Sequence, residues 1–225
     1  TATVAQWEAA LRSVTFSNAD ASPATGTRTI SFVVNDSEAN STAVTSSVNI
    51  VFAPVIGNLD GDSVTYTEGG GAVAIDTGTA ATVADNDNTD FNGGNLTVSI
   101  TAGGDAAQDI LTIGGSILSG GTAGSDVTIG GVVIGTLANN IAAGNDLVIN
   151  FNEDATPARV ASLLAAIQYS NNSTDDPTTG ARTVQVTLTD DSGGFTSSPA
   201  EITVNVVGIN DAPTVSATGG TPTFT

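Results

Sequence analysis

The sequence predicts an all-β chain made of repeated β-sandwich units, each carrying one short helix. Three observations predict it. Runs in which Val, Ile, Leu or Phe alternate with polar residues recur along the 225 residues, and such alternation builds strands with one buried face. Twenty-six glycines, with Asn and Asp, punctuate those runs at the short spacing typical of sandwiches. Finally, the chain repeats itself: "GTRTISFVVND" from Gly26 returns as "GARTVQVTLTDD" from Gly180.

The duplication extends well beyond the arginine strand. "TVAQWEAALRSVTFSN" from Thr3 matches "TPARVASLLAAIQYSN" from Thr156. Each copy passes a polar loop with Pro23 or Pro177, then the Arg-Thr strand, then an acidic turn at Asp36 or at Asp190-Asp191. Each then runs into a second strand, "SVNIVF" from Ser47 or "EITVNV" from Glu201, and an Ala-Pro at Ala53-Pro54 or Ala212-Pro213. "SVTYT" ending at Thr67 matches "TPTFT" ending at Thr225, so the period is about 160 residues. The expected division is residues 1–53 as the back half of one repeat, 54–210 as a complete repeat, and 211–225 as the first strand of the next.

Taken in order, the elements justify themselves locally. Thr3 and Gln6 form a capping-box pattern, and Val4, Trp7, Leu11 and Val14 fall at helical spacing. Ile30, Phe32 and Val34 alternate as a strand. "NLTVSI", "DILTI", "DVTIGGVVIGTL" and "DLVINF" read as further strands. Thr156 with Pro157 starts the second helix, whose stripe is Val160, Leu163, Leu164 and Ile167. Val184, Val186 and Leu188 repeat the first arginine strand. "GGTAGSDVT" falls a residue out of register with a calcium-binding nonapeptide and reads as a Gly-rich hairpin.

Charge excludes several functions. Twenty-three acidic residues face four basic ones, all arginine, for a net charge of −19. Nucleic acids and anionic membranes select basic patches, so neither is an expected partner. No apolar run reaches the length of a membrane span. Without His or Cys, the usual nucleophile–base pairs and zinc or thiol sites are missing. Carboxylate pairs could hydrolyse glycosides, but few aromatic residues exist to line a sugar cleft, and Trp7 belongs to the helix stripe. The expectation is a protein that is not an enzyme.

The acidic residues gather in turns: Asn58, Asp60 and Asp62; Asp85, Asp87 and Asp90; Glu153 and Asp154; Asp190 and Asp191; Asn210 and Asp211. Asp, Asn and Gly are favoured by turns for their own sake. Asp-x-Asp on extended backbone also sets two carboxylates on one side, and Ca²⁺ takes six to eight oxygen ligands. Four arginines cannot neutralise these clusters, which favours a hard cation at Asp85/Asp87 and at Asn210-Asp211. Arg28 and Arg182 begin strands that face acidic loops and suit an ion pair or loop clamp.

"VVGINDAPTV" resembles the linker between bacterial cadherin-like domains. "LLAAIQYSNNSTDDPTTGARTVQVTLTDDSGG" resembles the second half, and "TEGGGAVAID" with "TVADND" the first half, of cadherin-like and chondroitin-sulfate-proteoglycan-like tandem repeats of giant secreted, RTX-type adhesins. The resemblance implies a Greek-key-like, cadherin- or Ig-like sandwich. It also implies Ca²⁺ held by Glu68, Asp85, Asp87, Asn210 and Asp211. The chain departs from the pattern in "TEGGG", which lacks the usual strand motif, and at the first junction, where Ala53-Pro54 follow the strand without Asn-Asp.

The expected function is a calcium-stabilised extracellular repeat of a long bacterial surface adhesin or biofilm-matrix protein, acting as a spacer and adhesive array. Its partners would be neighbouring repeats, other copies of itself, or a cell-surface or matrix ligand. The alternative is a subunit of an extracellular filament or surface layer whose half-repeat is completed by a neighbouring chain.

Overall fold

Helix α1 (Val4–Arg12) comes first, followed by the hairpin of β1 (Gly26–Phe32) and β2 (Val44–Ile50). Next are β3 (Val55–Gly57), β4 (Ser63–Thr67), β5 (Val73–Ala74), β6 (Thr82–Ala84), β7 (Asn95–Ala102) and β8 (Asp109–Ile113). Strands β9 (Asp126–Ile129), β10 (Val132–Leu137) and β11 (Leu147–Phe151) lead to α2 (Pro157–Leu164). Then come β12 (Ile167–Asn171), β13 (Gly180–Thr189) and β14 (Ala200–Val207). The computed structural model describes residues 2–20, 23–191 and 194–212, so all but the first two positions of the strand expected at 211–225 lie outside it.

The described chain is mostly β and divided among several sheets, consistent with an all-β sandwich. A seven-stranded sheet runs β4-β14-β13-β7-β11-β10-β9, and a three-stranded sheet runs β5-β12-β8. Pairing is antiparallel except for β14 with β4, which is parallel. Strands β3 and β6 form a small ribbon, and β1 with β2 forms a separate one.

Among the described residues every buried core hydrophobic falls between Leu59 and Val206. The period-2 pattern is what buries them. On β13, Arg182, Val184, Val186 and Leu188 point inward while the residues between them stay half-exposed. Helix α2 contributes Val160, Leu163 and Leu164 to the same core. Tyr66 and Tyr169 meet there edge to face, with ring centres 5.4 Å apart. Strands β9 and β10 are joined by Gly130 and Gly131 at φ +60° and +83°. A two-residue hairpin of this hand needs positive φ at both positions, which glycine adopts without strain.

The two helices invert the usual link between capping and packing. Thr3 and Gln6 close a full capping box on α1, yet α1 buries no residue. Thr156 makes no side-chain cap bond on α2, which starts instead with Pro157 and is held by its buried face. The expected stripe on α1 therefore exists in sequence but lies open: Val4 is 75 % exposed, Trp7 41 % and Leu11 41 %, while Val14, 53 % exposed, falls beyond the helix, which ends at Arg12. Residues 14–18, which match β12, form no strand. Strand β12 is paired by β5 and β8, both from residues 54–155, and the described residues ahead of α1 supply no equivalent of either.

Candidate functional site

The five residues expected to hold calcium separate into two groups. Glu68 follows β4 and is buried. Its Oε1 accepts from the backbone N–H of Asp176 (2.8 Å) and its Oε2 from that of Ile209 (2.7 Å). Strand β4 brings it there by running parallel to β14, so that its end meets the chain as it leaves Val207. Asp211 lies in the same place. Its carboxyl is held above the usual range by hydrogen bonding to Asp175, then by desolvation and by the charges of Glu68, Asp175 and Asp176. Asn210 donates to the Asp211 carbonyl at 3.2 Å. This end thus holds Glu68, Asp175, Asp176 and Asp211.

Asp85 and Asp87 belong to the opposite end. Asp85 Oδ1 accepts from the N–H of Asp87 (3.1 Å) and of Asn88 (3.2 Å), a tight Asx turn after β6. Its other oxygen, Oδ2, is buried without a hydrogen-bond partner. Asp87 accepts from the Phe52 N–H at 3.1 and 3.2 Å, tying the first junction to this turn. Desolvation raises the Asp87 carboxyl first, followed by the neighbouring Asp85 carboxyl and the charge of Asp190, against the lowering effect of the Phe52 N–H. Asn88 bridges to buried Asp190 at 3.4 Å.

Strand β13 measures the gap between the groups. It starts at Gly180, opposite Val206 and the Glu68 end, and reaches Asp190 after ten residues, roughly 30 Å away. One ion cannot serve both groups. Like charges repel within each, and the two ion pairs among the described residues, Arg159–Asp154 at 3.6 Å and Arg182–Asp109 at 3.1 Å, lie outside them. Among the described residues no group of three or more acidic side chains is already closed around a metal-sized point.

Other acidic turns are fasteners. Asp60 accepts from the Glu201 N–H (2.9 Å), and Asp62 from the Thr77 N–H (2.6 Å). Asp36 accepts from the N–H groups of Glu38 and Ala39, which hold its carboxyl below the usual range.

The most buried charge is one the sequence placed only in part. Arg182 donates through Nε to Asp109 Oδ2 at 3.1 Å and also to the carbonyls of Gly180 and Thr178. Asp109 is buried as well, and accepts from Tyr169, from Asn171 at 2.9 Å and from the Asp105 N–H at 2.7 Å. Desolvation and the Asp109 carboxylate push the Tyr169 phenol above its ordinary value. The arginine reads from sequence as a clamp; its partner does not. Asp109 begins "DILTI", and an acid at a strand start gives no sign of burial. Asp175 and Asp176 were equally inconspicuous inside a polar loop. Compared with protein-family models and with curated proteins, the chain matches none of either.

Proposed function

We propose that this chain is a calcium-stabilised repeat of a long extracellular bacterial adhesin or matrix protein, with a cadherin-like, Greek-key sandwich as its unit and no catalytic role. The observation that carries the reading is the pairing of two unneutralised carboxylate groups at opposite ends of one core, each beside a junction. Phe52, just ahead of β3, donates its N–H to Asp87, and Ile209 leaves beside Glu68. A cation at each end would stiffen the passage into the next unit, which is what a spacer requires. The half-buried Asp85 with an unsatisfied oxygen supports the first position, and the raised Asp87 and Asp211 carboxyls support both.

The test is thermal unfolding in chelator and in millimolar calcium. Extracellular modules bind Ca²⁺ at roughly 10⁻⁴–10⁻³ M, and a site at about a hundredfold excess over its Kd adds about 2.7 kcal/mol. Melting should rise with calcium and less with magnesium, which demands smaller octahedral cages. Superimposed curves would reduce the acidic groups to solvated turns. The filament reading is favoured by a separate observation, the uncovered face of α1 and the ribbon β1–β2. Ordered polymers in light scattering would support it, and a monomer at high concentration would not.

A further inference from the structure

Residues 3–52 and 156–207 repeat one pattern in two different surroundings. Locally the two copies make the same bonds. Arg28 donates to the carbonyls of Gly26 and Ala24, as Arg182 does to those of Gly180 and Thr178. Ser41 exchanges hydrogen bonds with Val34 (2.7 and 3.0 Å), as Ser197 does with Leu188 (2.8 and 3.1 Å). The hairpins share one register: Arg28 lies opposite Val48, and Arg182 opposite Val204.

They differ in what covers them. Leu11, Phe32, Val34, Ser41 and Val44 line an open apolar groove of about 240 Å³. Their matches Leu164, Val186, Leu188, Ser197 and Ala200 are all buried. What buries the second set is residues 55–155: β7 pairs along β13, β8 and β5 pair with β12, and Asp109 meets Arg182.

We propose that residues 3–52 are a receiving half-module whose occupant is a second front half, a partner segment built like residues 55–155. Residues 55–155 define its chemistry. It adds an antiparallel strand to the free edge of β1, fills the groove with apolar side chains, and offers Arg28 a buried aspartate. A second copy of this chain is the weaker occupant, because its own front half is already filled by β13 and Arg182. Phe16 stands where Tyr169 stands, so the hydroxyl bond to that aspartate would be missing while Asn18 keeps the role of Asn171. The inference does not depend on calcium.

The experiment extends the full chain by joining a copy of residues 54–155 ahead of Thr3. Trp7 is the single tryptophan, is 41 % exposed and sits one helical turn from Leu11 at the position matching buried Val160, so its emission reports whether this face of α1 becomes covered. The expected result is a shift to shorter wavelength with protection from a soluble quencher. Arg28→Ala should then lower the melting temperature of the extended chain by clearly more than it lowers that of the original chain. The original repeat melts within the same molecule and reports that the rest is folded. Trp7 as open to quencher in the extended chain as in the original would overturn the proposal. So would a concentration-dependent burial of Trp7 in the original chain alone, which would assign the groove to a second copy by exchange.

Discussion

Residues 3–52 and 156–207 are two printings of one sequence in two surroundings. Helix, arginine strand, turn serine and hairpin register recur in both. The core, the strand β12 and the buried ion pair occur in only one. What recurs is bonded within the segment. What does not recur needs atoms from residues 55–155. The difference separates local instruction from tertiary consequence within a single molecule, since the pattern of apolar, turn and arginine positions is shared while the context changes.

The comparison can be broken most sharply at the arginines. Removing one partner of a buried pair leaves the other charge uncompensated and costs about 3–5 kcal/mol. Arg182→Ala should therefore destabilise the chain by that order in denaturant titrations. Arg28→Ala loses only partly exposed bonds to carbonyls and should cost about 1 kcal/mol or less. Equal losses would mean that Arg28 already has a buried partner.

The helices give the next effect. Leu164 is fully buried, and Leu→Ala in a core costs about 2–5 kcal/mol through lost transfer energy and the cavity left behind. Leu11→Ala at the matching position should stay within about 0.5 kcal/mol, as surface changes do. A small loss at Leu164 would detach α2 from the core.

The smallest effect sharpens the two ends. Asp87 and Asp211 have carboxyls raised in the folded state, so the native chain binds more protons than the unfolded one over that range. Stability from these two groups is present at low pH and falls as pH rises from the unfolded value of 3.8 through the raised folded values. Asp36 and Asp105 are lowered and act in the opposite sense, losing stability as pH falls through their folded values. Asp87→Asn retains an acceptor for the Phe52 N–H and removes the repulsion with Asp85. Without calcium it should raise the melting temperature slightly at neutral pH. With calcium it should diminish the gain from the ion. A melting temperature lowered by Asp87→Asn in chelator would show that the charge itself is stabilising.

By itself the sequence determined the alternation that buries Val184, Val186 and Leu188, the capping box at Thr3 and the repeat that relates the two halves, whereas "DVTIGGVVIGTL", read as strand, is broken by a turn at Gly130-Gly131. Each of these is set by residues near one another in the chain, through side-chain period, φ preference or a local hydrogen bond. Tertiary structure alone decided that Asp109 pairs with Arg182 across 73 positions, and that Asp175 and Asp176 join Glu68 and Asp211. It alone placed Asp85 and Asp87 some 30 Å from that group. It also decided that "IQYSN" becomes a strand while "VTFSN" does not. The physical reason is the same in each case. A strand needs neighbours for its backbone groups, and a buried charge needs a partner in space, and the neighbours and partners here come from parts of the chain that no local pattern names.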